Sequence, residues 1–143
     1  MRCIMPAQTP TPPPLMLNRI SAGFPSPATD YLDRPLDLNE LCIQRPAATF
    51  FLRVEGNSMI EAGIFPDDIL VVDRSLTARH GHIIIARLDQ QFTVKELQLK
   101  PQPQLKAHHP HYPPILLNEF QDFEIFGVVT WNLHSLRNGL RAP

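Results

Sequence analysis

The sequence predicts a mostly β domain, a barrel or folded sheet, preceded by an extended N-terminal arm. Three observations lead there. Short runs of β-branched and aromatic residues recur between turn residues from Thr49 to Trp131, the pattern of a many-stranded sheet rather than of alternating strands and helices. Helical periodicity is weak along the chain. Seven prolines (Pro6, Pro10, Pro12, Pro13, Pro14, Pro25 and Pro27) crowd the first 27 residues. Each lacks an amide donor and has a fixed φ, so that stretch forms no regular helix and is expected to be extended. The whole chain, 143 residues, fits one domain. We expect residues 1–30 to be a flexible arm and residues 31–143 the folded domain.

The elements run in order along the chain. Asp37 with Glu40 three residues on is a helix-capping pattern, so a short helix is expected over Asp37–Cys42. In Thr49–Glu55, Phe50, Leu52 and Val54 share one face and Arg53 and Glu55 the other, the alternation of a half-buried strand. Gly56-Asn57-Ser58 breaks it. Ile69–Asp73 is a second strand, entered through Pro66-Asp67-Asp68. Gly81 opens a third, His82–Leu88, and Asp89-Gln90-Gln91 turns into a fourth, Phe92–Leu99, which Pro101 and Pro103 end. His108–Pro114 reads as a proline-rich loop and Phe123–Trp131 as a last apolar strand.

Composition excludes several classes. Hydrophobic residues make up 43% and charged residues 19%, which suits a packed core and not a solvated disordered chain. A formal net charge of −1 argues against binding nucleic acid through the overall field. The two cysteines, Cys3 and Cys42, make neither a disulfide framework nor a Cys-x-x-Cys pair, which favours a reducing cytoplasm. No apolar run approaches the roughly 18 residues of a membrane span, and Pro12–Pro14 interrupt any apolar signal core.

Two residues stand out chemically. Gly56 lets the chain bend sharply just before Ser58, and the successive amides of such a turn suit a developing oxyanion. Gly-Asn-Ser is also an ordinary turn. Lys95 lies in the Phe92–Leu99 strand with Leu97 and Leu99 on its own parity and Glu96 and Gln98 on the other, so parity does not settle its burial. A buried lysine loses its proton more easily and becomes a base for a serine. An exposed one extends its head to water and does nothing. Two further readings stay open at this level. Ser58 with a histidine and Asp73 forms a potential triad. His108, His109 and His111 cluster near Pro110, but without Cys or carboxylate at ligand spacing a solvated loop is the better reading, and no metal or cofactor is expected.

These residues assemble into a known pattern. Val54-Glu55-Gly56-Asn57-Ser58-Met59 resembles the nucleophile segment of the self-cleaving LexA/UmuD peptidase family. Asp67–Arg74, then His80–Ala86, then Phe92-Thr93-Val94-Lys95-Glu96-Leu97 resemble the strands that come after it. Lys95 comes 37 residues after Ser58, as that family's spacing requires. Ala22–Tyr31 resembles the cleavage segment of UmuD-type members. His82 stands where relatives carry Asp, and the chain has no room for a helix-turn-helix before the cleavage segment.

The resemblance implies the rest. Ser58 would be the nucleophile, Lys95 the general base, the amides of Asn57 and Ser58 the oxyanion donors, and Ala22–Gly23 the bond cut. It implies a homodimer that acts in SOS mutagenesis, with cleavage stimulated by a RecA filament on single-stranded DNA. The product, Gly23–Pro143, would serve a UmuC-like Y-family translesion polymerase, with no membrane and no sequence-specific DNA contact. Two alternatives use the same residues: a signal-peptidase-like enzyme, which requires an anchor, and a non-enzymatic polymerase-binding β module with a vestigial dyad.

Overall fold

The computed structural model describes residues 11–16, 19–25, 32–119 and 122–137. Cys3 and residues 26–31 of the cleavage-like segment lie outside them. The chain divides into two compact units, Met1–Leu41 and Cys42–Pro143.

In the first unit, β1 (Pro14–Met16) pairs antiparallel with β2 (Leu32–Pro35), placing Pro14 opposite Pro35 and Met16 opposite Leu32. Prolines flank this ladder because they suit extended backbone at a sheet edge, where no donor is needed. The Leu36 amide adds a bond of 2.8 Å to the Pro13 carbonyl. The sequence pattern shows an extended arm here but not its pairing. Helix α1 (Leu38–Cys42) begins where expected. Asp37 caps it, accepting the Asn39 amide at 2.9 Å on its carboxylate and the Leu41 amide at 3.0 Å on its carbonyl.

The second unit is mostly β, as predicted. Its described residues form one antiparallel sheet in the order β3-β4-β9-β5-β6-β7-β8. The strands are β3 (Thr49–Arg53), β4 (Ile69–Asp73), β5 (Ile83–Leu88), β6 (Gln91–Gln98), β7 (Gln104–Lys106), β8 (Ile115–Leu116) and β9 (Phe123–Leu133). Five of them, β3, β4, β5, β6 and β9, match the alternating and apolar runs of the sequence to within a residue or two. β7 and β8 flank the proline-rich His108–Pro114 loop, and the sequence pattern marks neither as a strand.

The last strand in sequence lies in the middle of the sheet. β9 pairs with β4 on one side and β5 on the other, so its backbone is hydrogen-bonded along both flanks. Its register shifts once against each neighbour, between Val71 and Val72 and between Ile85 and Ala86; each shift inserts an extra residue and increases the local twist. Gly127 sits between the two shifts. A Cβ there would stand 2.6 Å from Cγ1 of Val72, so only glycine lets β9 approach β4 this closely.

Strand alternation packs both faces. Along β5, Ile84, Ala86 and Leu88 join Leu97, Leu105 and Val128 in one cluster, while Ile85 joins Val54, Met59, Ile64, Leu70 and Val72 in the other. The β5–β6 hairpin closes through Asp89 and Gln90, both at positive φ (46° and 70°). That is a two-residue turn whose twist matches the strands it joins. β3 is an edge strand, and its pattern is looser: Val54 beyond it is buried and Leu52 half-buried, but Phe50 is 44% exposed. β7 reaches β6 only over Glu96–Gln98. Among the described residues, the Phe92–Lys95 half of β6 therefore has no strand on that flank.

Candidate active site

The serine turn is built by three constraints. First, the chain leaving β3 is pinned: the Val54 amide bonds the Asp68 carbonyl at 2.8 Å and the Asp67 amide bonds the Val54 carbonyl at 2.9 Å. Second, Gly56 takes φ +83°, a left-handed conformation that folds the chain back. Third, Met59 plugs the turn into the core at 1% exposure. Its carbonyl accepts the Ala62 amide at 3.0 Å and the Ile64 amide at 3.2 Å. Burying a methionine side chain is worth about 1.5–3 kcal/mol, which holds Ser58 on a fixed support, half-buried between Asn57 and Met59.

Asp68 strengthens the first constraint. Its carboxylate is buried at 3% exposure and accepts the Phe65 amide and the Asn132 side-chain amide, each at 2.8 Å, and faces His134 Nδ1. Burial alone would raise its pKa. These hydrogen bonds and the His134 charge outweigh burial and hold it below the usual carboxylate value.

Lys95 reaches the serine from β6. Its side chain is buried, at 7% exposure. Nζ lies 3.1 Å from Ser58 Oγ, 2.7 Å from Thr93 Oγ1 and 3.2 Å from the Val94 carbonyl oxygen. Burial lowers its pKa, because removal from water disfavours the charged form. The number of partners matters as much. A neutral amine has two N–H donors and one lone pair. As an ammonium, Lys95 donates to all three acceptors; once neutral, with Thr93 Oγ1 and the Val94 carbonyl taking its two donors, its lone pair faces the Ser58 hydroxyl. The arrangement can thus move a proton from Oγ to Nζ without rearranging its other contacts. The exposed-lysine reading is overturned: the Lys95 side chain is buried and reaches the serine turn rather than water.

Ser58 lines a cleft of about 410 Å³, together with Thr93 and Val94, the two residues before Lys95. Leu52, Val54, Leu70 and Ile85 give it an apolar floor, and Phe92 and Phe126 stand along it. The two rings meet edge to face at 5.2 Å, with the Arg74 guanidinium 4.2 Å from the Phe126 centroid. Within the described residues, neither the Asn57 nor the Ser58 amide donates a hydrogen bond to the protein.

Other candidates are placed elsewhere. Asp73, the potential triad acid, binds the Ser75 hydroxyl and amide and pairs with Arg45 at 3.7 Å. The Ser75 hydroxyl bond, against the opposing effect of burial, and with help from the Ser75 amide and Arg45, holds its pKa below the usual value. No described histidine ring hydrogen-bonds Ser58. His80 Nδ1 accepts the Leu99 amide at 2.9 Å, and His82 Nδ1 accepts the Arg79 amide at 3.1 Å, so His82 caps a local turn. His109 accepts the His111 amide at 3.1 Å and meets Tyr112 edge to face. Among the described residues no three His, Cys, Asp or Glu side chains converge as metal ligands, and no helix is long and apolar enough to cross a membrane. Ala22 and Gly23 lie in the first unit, both exposed, with the Gly23 amide 3.2 Å from Ser21 Oγ.

Two contacts go beyond the sequence reading. Thr93 shares strand parity with Lys95, and that spacing is enough to suggest an acceptor for its amine. Tyr112, whose hydroxyl donates to Asn57 Oδ1 at 3.0 Å across 55 residues, leaves no comparable signal.

The family model described as Peptidase S24-like matches residues 14–130. The chain is 50% identical over 125 residues to Protein SamA of Salmonella typhimurium strain LT2, covering 87% of each chain. It is 49% identical over 121 residues to Protein MucA of Escherichia coli, covering 84% of this chain and 83% of that one. It is 38% identical over 114 residues to the LexA repressor of Stenotrophomonas maltophilia strain R551-3, covering 79% of this chain and 54% of the repressor.

Proposed function

The chain belongs to the Peptidase S24-like family, and from that premise we propose that it is a self-cleaving serine peptidase of the UmuD type that cuts its own Ala22–Gly23 bond. One observation carries the reading: a buried Lys95 amine stands 3.1 Å from Ser58 Oγ, with Thr93 Oγ1 and the Val94 carbonyl as its other two partners.

The steps follow from these proposed roles. Ser58 Oγ attacks the Ala22 carbonyl carbon while its proton passes to Lys95 Nζ. The oxyanion is received by the amides of Asn57 and Ser58. The resulting ammonium gives its proton to the departing Gly23 nitrogen, leaving residues 1–22 as an ester on Ser58. Lys95, neutral again, takes a proton from water, which hydrolyses the ester and frees the serine. Small side chains at Ala22 and Gly23 let the backbone enter the cleft, and Pro25 and Pro27 limit the entropy lost on ordering the segment beyond the cut. Residues 1–30 act as the tethered substrate arm and residues 31–143 as the domain that cuts it. Tethering supplies substrate at high effective concentration, so regulation acts on how often the arm occupies the cleft.

The biological setting is that of SOS mutagenesis. A RecA filament on single-stranded DNA raises the productive population. The homodimeric product, Gly23–Pro143, is an accessory subunit of a UmuC-like Y-family polymerase in translesion synthesis. The test is a mass measurement on pure protein held at alkaline pH. We expect a new N-terminus at Gly23, absent from Ser58→Ala and Lys95→Ala. An intact wild-type chain, or cleavage that survives Lys95→Ala, refutes the reading.

A further inference from the structure

Lys95 and Glu96 are consecutive on β6, so alternation turns their side chains to opposite faces. Lys95 reaches Ser58 directly. Glu96 reaches the same turn by another route. Its Oε1 lies 3.2 Å from Nε2 of His108. A carboxylate only accepts, so that ring nitrogen carries the hydrogen. Both side chains are largely shielded, at 24% exposure for His108 and 19% for Glu96, and Oε2 of Glu96 is separately held by Gln98 at 2.9 Å.

The backbone of His108 completes the connection. Past Lys106, where β7 ends, the chain leaves β6 and bonds to the serine turn. The His108 amide donates to the Ser58 carbonyl at 2.8 Å, and the Glu61 amide donates to the His108 carbonyl at 3.0 Å. Four residues later, Tyr112 holds Asn57. The nucleophile is therefore gripped at its own carbonyl by a residue whose ring is tied to the neighbour of the proposed base.

We propose that Glu96 and His108 form a positioning relay that sets the Ser58 turn against Lys95, the pair acting as one unit on the proposed peptidase reaction. The relay touches no reacting atom. It fixes the turn's distance from β6 by anchoring both ends of a short span: side chain to β6, backbone to Ser58. A misplacement of about 1 Å costs on the order of 100-fold in such reactions, so loss of one anchor, with partial relaxation, is expected to slow cleavage about tenfold. The inference rests on the peptidase reading for its effect on rate, but the relay itself has a readout free of chemistry.

The experiment is a double-mutant cycle on the full chain. Self-cleavage at fixed alkaline pH is followed in wild type, Glu96→Ala, His108→Ala and the double variant, with His108→Gln as a replacement that keeps an N–H donor. Each single alanine variant is expected to slow cleavage about tenfold, and the double variant by the same factor, because pairs acting as a unit do not add. His108→Gln is expected to recover most of the rate, which a general loss of packing at residue 108 does not allow. In parallel, hydrogen exchange at the Glu61 amide is measured in a Ser58→Ala background. Protection is expected to fall in His108→Ala and in Glu96→Ala and to return in His108→Gln.

Multiplicative slowing, near 100-fold in the double variant, overturns the relay. So does a wild-type rate in either single variant, or His108→Gln as slow as His108→Ala. If the wild type itself does not cleave, the peptidase reading falls, and the Glu61 exchange pattern still decides whether the relay exists.

Discussion

The proposed chemistry depends on how loosely Lys95 holds its proton, and that can be measured without any cleavage. The perturbation is Lys95→Met in a Ser58→Ala background, compared with Ser58→Ala alone. Methionine keeps length and removes the charge. Burial at 7% exposure lowers the folded-state pKa of Lys95 below its ordinary 10.5. Between the lowered value and 10.5 the unfolded chain binds a proton at this site that the folded chain does not. Unfolding therefore becomes harder as pH rises through that window. Below the window both states are protonated, and the folded protein carries the full cost of a buried ammonium. Each pH unit inside the window changes the unfolding free energy by about 1.4 kcal/mol. Lys95→Met lacks this dependence, while every other titrating group is common to both proteins and cancels. Urea unfolding from pH 6 to 11 should give a difference between the two that is constant below the window. Across it, the lysine protein gains about 1.4 kcal/mol per unit, and the difference becomes constant again above 10.5. A difference flat across the whole range refutes the claim that the site depresses this pKa, and with it the source of the base.

Three further outcomes are expected. Thr93→Val removes the acceptor 2.7 Å from Nζ; an amine short of one partner is expected to cleave about tenfold more slowly, a loss of about 1.4 kcal/mol of transition-state stabilisation, and an unchanged rate in single-turnover assays counts against the two-donor arrangement. Gly127→Ala forces a Cβ to 2.6 Å from a fully buried Val72; overpacking of this kind costs about 1–3 kcal/mol, read by urea midpoint, and Val72→Ala in the same chain should recover part of it. Asp68→Asn leaves buried donors poorly matched, at a cost of about 1–3 kcal/mol. Because the Asp68 pKa is lowered on folding, its contribution is complete above the ordinary 3.8 and fades as pH falls through the lower folded value, so wild type and Asp68→Asn should converge in acid unfolding below pH 3.8.

The sequence discloses elements whose pattern is local. Ile69–Asp73 is apolar nearly throughout because β4 lies between two strands, and Asp89-Gln90 turns because the hairpin needs two residues at positive φ. β7 escapes notice because three residues between prolines carry no periodicity; it forms because Leu105 packs wholly into the core. Lys95 is ambiguous in the sequence for a physical reason. Its burial goes with contact to the serine turn, 37 residues earlier in the chain, which is a property of the tertiary fold rather than of Phe92–Leu99. The pairing of Ser58 with Lys95 is legible through family resemblance alone, and the grip of His108 and Tyr112 on the turn is not legible at all, since both contacts join loops by tertiary packing.

The position of β9 orders events in time. Ser58 is borne on the β3–β4 half of the sheet and Lys95 on the β5–β8 half, and the strand that joins them is made last. Until residues 123–133 have been made, the β3–β4 and β5–β8 halves share no ladder. On the proposed peptidase reading, the Ser58–Lys95 pair assembles only after β9 has joined the two halves of the sheet.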